Sequence, residues 1–418
     1  MLDINLIREE PEKIKENIKN RNANPGLVDD FLALDGEWRK LTSEIDNFRA
    51  EQKKLGEERK IEEAKGIKAK IQELDDELKV IEESRRNVLY KFPNLSFDSV
   101  PAGKTEDDNV VLRDVGEKPE FGFEPKDYIE IGEGLDLIDT GRAAKVSGSR
   151  FGYLKGAGAL LEFALVKLAM DTAAKKGFVP VIPPVMIKSE MMKAMGYIDR
   201  TEDRDETYYL EPDDLYLVGT SEQSIGPMHA DEIFEEKDLP KRYISFSTCF
   251  RREAGSYGKD TRGILRVHQF DKIEMFIFCH PDNSKEEHKL LLSIEEELMQ
   301  ALKLPYHVLE FCAGGLGSGP AAAKYDIEVW LPGQNNRNGQ YRETHSTSNC
   351  TDFQSRRLNI RYRNKEGKVN FIHMLNGTAF SQRPILAILE NYQTKEGNVV
   401  VPEVLREYLG TDIIKPRD

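Results

Sequence analysis

The stretch FRREAGSYGKDTRGILRVHQFDKIEMF, residues 250–276, collects arginines and glycines between two strand-like segments. The first strand would carry Arg251 and Glu253 to the same side, because side chains along a strand alternate with a period of two. The loop GSYGKDTRG then reverses the chain, and a second strand returns Arg266, His268 and Phe270. Arginine can bind two phosphate oxygens at once and an aromatic ring can stack on a base, so this hairpin favours a nucleotide site. A surface hairpin whose charges pair with each other is the alternative.

The composition indicates an ordinary globular chain with an acidic balance. Its 418 residues allow about two to three domains. The formal net charge of -14 argues against nucleic acid, although local charge decides that question. No apolar run approaches the roughly 20 residues that span a bilayer, and the N-terminus lacks the apolar region of a signal peptide. We therefore expect a cytoplasmic protein that makes no membrane contact.

The cysteines are too widely spaced for a framework of cross-links. They are Cys249, Cys279, Cys312 and Cys350, and no two form a CxxC pair. This spacing argues against disulfides and against a cysteine-based zinc site, so we expect free thiols and no structural zinc.

Helical and strand-like stretches alternate beyond about residue 125. A helix is predicted over 160–176, and strands are predicted over 178–182, 242–250, 272–279, 325–330 and 357–362. Tight turns separate the strands, so we expect an α+β fold with a mostly antiparallel sheet flanked by helices. Neither GxxxxGKS/T nor GxGxxG after a strand occurs, so arginines would have to hold any bound nucleotide.

Two heptad seams near the N-terminus predict a long antiparallel two-helix coiled-coil arm. The first runs from Phe31 to Leu55 and the second from Ile67 to Phe92, where Pro93 ends the helix. The expected facing pairs are Leu55 with Ile67, Phe48 with Leu74, Ile45 with Leu78, Leu41 with Ile81, and Trp38 with Arg85, the last a cation–π contact.

The outer end of this arm is basic on an otherwise acidic chain. Its cationic residues are Lys53, Lys54, Arg59, Lys60, Lys65 and Lys68. Contact with a phosphate backbone requires such a local excess of positive charge, so we expect the tip to bind nucleic acid. A dimerisation or spacer coiled coil is the alternative.

Several separate segments resemble the class II aminoacyl-tRNA synthetases, in the form of the seryl-tRNA synthetase family. The opening stretch resembles motif 2, KKGFVPVIPPVM resembles motif 1 with Pro184 as its signature proline, and HMLNGTAFSQRPILAILENYQ resembles motif 3. MLDINLIREEPEKI, NLSFDSVPAG, YDIEVWLPGQ and SNCTDFQSRRLNIRYR resemble other parts of the same family. The likeness covers nearly the whole chain, in the right order.

The resemblance implies ATP-dependent activation of L-serine to seryl-adenylate and transfer to the 3′ end of serine tRNA for translation. Charging of selenocysteine tRNA is left open. It also implies a homodimer with motif 1 at the interface. The expected domains are residues 1–100 for tRNA binding, with the arm at about 28–92, residues 101–124 as a linker, and residues 125–418 as the class II catalytic domain.

Carried over residue by residue, the resemblance implies an active site with one side for the nucleotide and one side for the amino acid. Arg251 and Arg383 would be catalytic, with Arg251 on the α-phosphate and Arg383 across the adenine from Phe270. The ATP-binding residues would be Arg251, Arg252, Glu253, Arg266, Val267, Phe270, Glu343, Thr344, His345, Ser346 and Arg383. The serine-binding residues would be Thr220, Ser221, Glu222, Arg251, Glu274, Asn376 and Thr378. Glu343 and Ser346 would hold Mg²⁺ through hard oxygens.

Other interpretations of these residues stay open. Glu222 and Glu274 could be helix-cap or surface acids, and Ser346 could merely support a ligand. We expect His268 and His345 to be structural, because a carboxylate attacks phosphorus without proton transfer. Two other functions are alternatives. An enzyme of the same fold that loads amino acids onto a carrier protein would lack the long arm that this sequence predicts. A non-catalytic relative would have lost motif residues that are present here.

Two segments depart from the family pattern. LPGQNNRNGQYRE carries an extra polar segment, residues 335–340, whose role the sequence does not reveal. NGTAFSQRP is one residue short and places Gln382 and Pro384 around Arg383. Proline is tolerated only in the first turn of a helix, so the role of Arg383 depends on where the motif 3 helix begins.

Overall fold

The structure is a computed structural model that describes residues 1–199, 201–254 and 262–416. It contains two compact units, one formed by residues 1–95 with 317–319 and the other by the rest of the described chain. No helix in the described ranges is long and apolar enough to cross a membrane. The four cysteines are buried and free.

The N-terminal unit is helical. Its helices are α1 (Ile4–Glu9), α2 (Pro11–Asn20), α3 (Leu27–Glu57) and α4 (Ile61–Tyr90). Helices α3 and α4 form the predicted arm, and their seam residues pack in one apolar cluster made of Leu41, Ile45, Phe48, Ile67, Ile71, Leu74, Leu78 and Ile81. The guanidinium of Arg85 lies 4.7 Å from the centre of the Trp38 ring, which confirms the predicted cation–π contact.

The larger unit mixes helices and strands. Its helices are α5 (Tyr128–Gly134), α6 (Thr140–Ser147), α7 (Ala157–Ala174), α8 (Ser189–Met195), α9 (Thr201–Asp205), α10 (Glu222–Ile225), α11 (Ser284–Ala301), α12 (Gln334–Arg337), α13 (Phe353–Leu358), α14 (Arg383–Asn391) and α15 (Arg406–Leu409). Its strands are β1 (Val110–Val115), β2 (Ile138–Asp139), β3 (Tyr153–Leu154), β4 (Val179–Val181), β5 (Met186–Lys188), β6 (Tyr208–Leu210), β7 (Leu215–Leu217), β8 (Ile233–Glu235), β9 (Lys241–Phe250), β10 (Gln269–Cys279), β11 (Tyr306–Glu310), β12 (Ala323–Leu331), β13 (Gln340–Asn349), β14 (Arg361–Arg363), β15 (Val369–Phe371), β16 (His373–Ser381), β17 (Val399–Val400) and β18 (Ile413–Ile414).

The main sheet has the strand order β1-β11-β12-β13-β16-β10-β9-β4. Neighbouring strands are antiparallel, except that β4 runs parallel to β9. Smaller sheets join β15-β14-β8, β5-β7-β6, β2-β3 and β17-β18. This architecture confirms the predicted α+β fold with its mostly antiparallel sheet and long helical arm.

Helices cover one face of the main sheet and bury the core there. Helices α7, α11 and α14 contact the strands β9, β12, β13 and β16. The fully buried residues on this side include Leu161, Leu165, Leu291, Leu298, Ile277 and Val329. Each such side chain contributes about 1.5–3 kcal/mol through its removal from water. Phe276, Phe278 and Met374 belong to a second apolar cluster on the opposite face.

Two segments differ from the predictions. Part of residues 101–124, expected as a linker, forms β1, which pairs with β11 at the edge of the main sheet. Its side chains are mostly exposed, so no alternation of apolar residues marked it as a strand. The strand predicted over 357–362 is wrong in its first half, since α13 ends at Leu358 and Asn359 turns the chain with φ 55° before β14 begins.

The extra loop at residues 335–340 closes the hairpin between β12 and β13. Three consecutive residues have positive φ angles of 51°, 52° and 67°: Asn335, Asn336 and Arg337. The guanidinium of Arg337 donates to Glu130 Oε1 at 3.2 Å and also pairs with Glu124. The loop therefore ties this hairpin to the beginning of α5.

A buried carboxylate fixes the base of the arm. Asp35 on α3 is fully buried and accepts a hydrogen bond of 2.8 Å from Arg8 Nε on α1. Arg85 on α4 lies 2.8 Å from the same carboxylate, and Arg39 lies 3.2 Å from it. Burial by itself would raise the pKa of Asp35, but Arg8, Arg85 and Arg39 hold it below the usual value. An ionised Asp35 therefore joins three helices.

We expect Asp35→Ala to destabilise the N-terminal unit by about 3 kcal/mol, the low end for a broken buried ion pair, because the guanidinium groups left without their anion are only partly buried. Urea unfolding followed by Trp38 fluorescence, in a Trp330→Phe background, measures the change. Asp46→Ala at an exposed position of the arm is the control and should cost less than about 1 kcal/mol. Equal losses in the two variants would contradict the role assigned to Asp35.

Candidate active site

Strand β10 supplies one face of the candidate site. By alternation along the strand, Phe270, Lys272 and Glu274 lie on the face opposite helices α7, α11 and α14, while Ile273, Met275 and Ile277 are buried in the core. This alternation follows from the period of two along a strand. The glutamate that closes the opening stretch is therefore fixed on the same face as the aromatic ring predicted to stack on a base.

An irregular pairing of β12 with β13 puts Glu343 and Ser346 on one face. Residues three apart on a regular strand point to opposite faces. Here Asp326 faces Ser346 and Glu328 faces Glu343, with a register shift between these pairs. Thr344 is the extra residue of a β-bulge, which returns Glu343 to the face of Ser346.

A second bulge lies between β10 and β16. Glu274 faces Thr378, whereas the residue before Glu274 faces Phe380, so Ala379 is the extra residue. The bulge keeps Thr378 on the same face as Glu274, and alternation adds Asn376. Strand β16 therefore brings both predicted serine-binding residues of motif 3 beside Glu274.

Two buried carboxylates form an acidic cup, which we define as Glu222, Glu274 and the hydroxyl of Thr220. Glu222 accepts hydrogen bonds from Tyr197 Oη at 2.7 Å and from Gln354 Nε2 at 3.1 Å. Both carboxylates are buried, which excludes the interpretation as surface acids. Next to Glu222, the hydroxyl of Ser221 lies 2.7 Å from that of Ser245 on β9.

Lys272 enters the acidic cup from β10. Its ammonium lies 2.5 Å from Glu274 Oε2 and donates to Thr220 Oγ1 at 3.1 Å. Burial raises the pKa of Glu274 to about 6, against the attraction of Lys272. Burial also raises the pKa of Glu222, while its bonds from Tyr197 and Gln354 act in the opposite direction.

Arg251 lies directly beyond the end of β9, between the cup and Phe270. Its Nε donates to the carbonyl oxygen of Gly219 at 3.1 Å, and its guanidinium is 5.2 Å from the centre of the Phe270 ring. The backbone N–H of Arg251 donates to His268 O at 2.9 Å, and His268 Nδ1 lies 3.0 Å from Arg251 O. His268 thus holds the backbone of Arg251, in line with a structural role.

The predicted motif 2 hairpin is described only in part. Residues 255–261 of the predicted glycine-rich loop lie outside the described residues. Glu253 does not continue the strand, since its φ is 52°, and its carboxylate is 2.7 Å from Arg266 Nη1. The backbone N–H of Arg252 donates to Glu206 O at 3.0 Å. The structure therefore brings Glu253 and Arg266 together as an ion pair.

Arg383 opens helix α14 and contacts Glu343. Its Nη1 donates to Glu343 Oε2 at 3.0 Å and to Glu343 O at 2.8 Å. Pro384 lies in the first turn, where a proline fits a helix. Loss of surrounding water would by itself raise the pKa of Glu343, but Arg383 and Lys324 lower it to about 2. Glu343 is therefore an anion at neutral pH.

The side chains of three predicted ATP-binding residues, Val267, Thr344 and His345, are absent from the sheet face that carries Glu274 and Glu343. Val267 packs in the hydrophobic core. Thr344 is buried and donates to Ile327 O at 3.2 Å, and His345 is fully buried with its Nδ1 2.8 Å from the Thr344 hydroxyl. The bulge turns the last two inward, so only the backbone of these residues is available to a ligand. Burial lowers the pKa of His345 to about 4, which agrees with a structural histidine.

Lys272, Tyr197 and Gln354 belong to the site although no motif in the sequence indicated them. Lys272 could have been found, because it lies two residues before Glu274 and a strand places such residues on one face. Tyr197 and Gln354 carried no signal, since they reach Glu222 from distant positions in the chain. Within the described chain, no three histidine, cysteine, aspartate or glutamate residues form a cluster that could hold a metal ion.

The tip of the arm presents the predicted cations to solvent. Lys53, Lys54, Arg59, Lys60, Lys65 and Lys68 are exposed. Lys60 pairs with Glu58 at 2.8 Å and Lys65 with Glu62 at 2.7 Å. Exposed pairs of this kind are weak, so these side chains can exchange their partners for phosphates at little cost.

Two family models match the chain. The model described as "Seryl-tRNA synthetase N-terminal domain" matches residues 1–96. The model described as "tRNA synthetase class II core domain (G, H, P, S and T)" matches residues 203–392. Together they include the arm and most of the strands that form the candidate site.

Relatives and solved structures match over the full length. A curated protein of Thermobifida fusca named serine–tRNA ligase is 47% identical over 426 residues, covering 100% of this chain and 99% of that protein. A seryl-tRNA synthetase from Pyrococcus horikoshii, solved in complex with ATP, superposes with a TM-score of 0.93 at 41% identity, and 100% of each chain is covered. A cytoplasmic serine–tRNA ligase from Naegleria fowleri, solved in complex with AMP, gives a TM-score of 0.90 at 38% identity and covers 100% of this chain and 99% of that chain.

Proposed function

The chain belongs to the seryl-tRNA synthetase family, and we propose that it activates L-serine with ATP and transfers the seryl group to the 3′ end of serine tRNA. The observation that carries this proposal is the arrangement on one face of the main sheet. There an acidic cup, suited to an ammonium group, lies beside arginines and an aromatic ring, suited to a nucleotide. Because charged tRNA is consumed in translation, we place the enzyme in the cytoplasm.

In the activation step, an oxygen of the serine carboxylate attacks the α-phosphorus of ATP. The bond from that phosphorus to the bridging oxygen breaks, and pyrophosphate leaves with its electron pair. The α-phosphate gains negative charge on the way, so a guanidinium fixed beside it lowers the barrier. We assign this role to Arg251, because it lies between Phe270 and the cup. Arg383 supplies a second catalytic guanidinium from the other side.

The remaining nucleotide contacts follow from the same placement. Phe270 would stack on adenine, and Glu253 would accept a hydrogen bond from the adenine amino group. Arg266 would then exchange Glu253 for the γ-phosphate, which offers more acceptor oxygens. Arg252 would add a further positive charge near the phosphates. Val267, Thr344 and His345 would contact ATP through their backbone groups only.

The site fits the magnesium ion that the family's use of ATP implies. Glu343 and Ser346 share a face, and Asp326, buried beside them, has an Oδ1 that lacks a hydrogen-bond partner in the described chain. Magnesium is usually held by one or two carboxylates together with substrate phosphates, so a cluster of three protein acids is unnecessary. We propose Glu343 and Ser346 as its protein ligands. When bound, the ion would neutralise charge on the phosphate oxygens.

The amino-acid side would recognise serine by charge and by hydrogen bonds. Glu222 and Glu274 would receive the ammonium and hydroxyl groups, and the hydroxyl of Thr220 would complete the cup. Ser221, whose hydroxyl lies 2.7 Å from that of Ser245, would fix the segment that carries Thr220, while Asn376 and Thr378 would line the wall formed by β16. A site that hydrogen-bonds the substrate hydroxyl rejects alanine, because its polar groups would be left unpaired. The methyl group of threonine must be excluded by the size of the pocket.

We propose that two copies of the chain associate through an apolar surface beside β4. This edge strand contacts helix α7, and exposed apolar side chains lie on α7, on β4 and directly after β4: Leu160 at 52%, Phe163 at 65%, Val179 at 54% and Ile182 at 84%. Contiguous exposed apolar residues at a sheet edge are typical of a protein interface. The same segment carries the family's motif 1.

We expect pyrophosphate exchange into ATP to depend on serine and to be far weaker with threonine or alanine. Arg251→Ala should reduce the exchange by about 10²–10³-fold, because a preorganised donor to the reacting phosphate is lost. Arg363→Ala, at an exposed position on β14, is the matched control. Absence of serine-dependent exchange in the folded, unmutated chain would contradict the proposed function.

We expect Ile182→Asp to dissociate the dimer, since it places a charge in the apolar surface. Sedimentation velocity at micromolar concentration should give a dimer for the unmutated chain and a monomer for the variant. Val80→Asp, at an exposed apolar position on the arm, should leave the dimer intact. A monomeric unmutated chain would refute the interface.

We expect Lys53→Glu with Lys54→Glu and Arg59→Glu to impair tRNA charging while leaving serine-dependent pyrophosphate exchange unchanged. The logarithm of tRNA affinity should also depend less steeply on the logarithm of salt concentration, by about one for each phosphate that the tip no longer neutralises. Lys365→Glu with Lys368→Glu, on the catalytic unit, is the control. If the triple variant charges tRNA normally, the tip does not bind tRNA.

A further inference from the structure

The acidic cup contains a cation that the proposed serine contacts do not use. The side chain of Lys272 is 12% exposed. Its ammonium is within hydrogen-bond distance of two proposed serine-binding groups, at 2.5 Å from Glu274 Oε2 and 3.1 Å from Thr220 Oγ1. These acceptors come from different elements, since Glu274 lies on β10 and Thr220 lies between β7 and α10. Lys272 therefore joins two walls of the amino-acid site.

The charges around Glu274 are unequally distributed. On its own strand, Lys272 lies two residues before Glu274 and on the same face. The other ionisable groups that act on Glu274 or respond to its charge are Arg251 and Cys249 from the β9 side, Glu222 from the cup, Tyr197 bonded to Glu222, and Glu295 from helix α11. The cations acting on Glu274 are Arg251 and Lys272, and Lys272 is the one in direct contact with the carboxylate. Lys272 is thus the principal counter-charge of Glu274.

The burial of Glu274 makes this counter-charge necessary. The carboxylate is 1% exposed, and burial raises its pKa to about 6 even with Lys272 beside it. An opposite charge within about 4–6 Å typically lowers a carboxyl pKa by about 1–3 units. Without Lys272, between about half and nearly all of the Glu274 carboxyl groups would therefore be protonated at pH 7. A neutral carboxyl group cannot attract the serine ammonium by charge.

The contact with Thr220 also orients that hydroxyl. A threonine oxygen can accept hydrogen bonds and donate one. Because Lys272 donates to Thr220 Oγ1, the hydroxyl hydrogen of Thr220 must point elsewhere. It becomes available to an acceptor in the cup, such as the hydroxyl oxygen of serine.

We propose that Lys272 is a positioning residue of the amino-acid site, which keeps Glu274 an anion and fixes it relative to Thr220 so that the two together bind serine. This inference rests on the proposed function. Lys272 takes no part in bond formation. Its effect therefore falls on the serine side of the reaction and leaves ATP binding unchanged.

The test compares Lys272→Met with Lys272→Arg and with the surface control Lys289→Met, whose lysine pairs with Glu286. Pyrophosphate exchange at saturating ATP gives kcat/KM for serine between about pH 5 and pH 9, a range that covers the acid limb of the profile. In the unmutated chain the limb should lie near the pKa of Glu274, about 6.

Removal of the cation should move the acid limb of Lys272→Met upward by about 1–3 units. Its kcat/KM for serine at pH 7 should consequently fall by about twofold for a shift of one unit and by up to about 90-fold for a shift of three units, and it should recover as the pH rises. Lys272→Arg should keep the limb in place, because it keeps the charge. The KM for ATP should stay unchanged in both variants, and Lys289→Met should behave like the unmutated chain.

A limb at the same pH in Lys272→Met, or an equal loss at every pH, would overturn the inference, since a purely structural lysine predicts that result. Thermal unfolding shows whether Lys272→Met is folded. If it is not, Lys272→Gln, which retains a donor without the charge, should show the same upward shift. Loss of serine-dependent exchange in the unmutated chain would instead refute the proposed function, so the two failures are distinguishable.

Discussion

A carboxylate that loses its water must gain a cation or several hydrogen-bond donors, and the architecture of the active site depends on this requirement. Glu274 has Lys272 on the same strand, and Glu343 has Arg383 from the helix that follows β16. Glu222 instead receives two neutral donors from distant elements. Anionic groups can therefore lie in a largely buried site without being forced into their protonated form.

The same requirement acts in the N-terminal unit. Asp35 is fully buried and is surrounded by arginines from three helices, so its charge fixes the base of the arm. The arm beyond it has a narrow apolar seam and an exposed basic tip. A rigid base and a solvated tip suit a segment that presents cations to a polyanion.

The two β-bulges are the second physical device in the site. A regular sheet would place Glu343 and Ser346 on opposite faces, because side chains alternate along a strand. One extra residue, Thr344, brings them to the same face, and Ala379 does the same for the residues of β16. Each bulge interrupts the ladder of backbone hydrogen bonds between its two strands. The regular pairing along the rest of these long strands offsets that loss of stability.

By itself the sequence determined the elements whose signal is periodic or local. The heptad seams predicted the arm and the contact of Arg85 with Trp38, and the motifs identified Arg251, Glu274 and the family. Only the tertiary structure decided which side chains share a face of the sheet. It turned Thr344 and His345 inward and brought Tyr197 to Glu222. The reason is that a bulge or a long-range contact depends on strand register and packing, and neither leaves a repeating pattern in the chain.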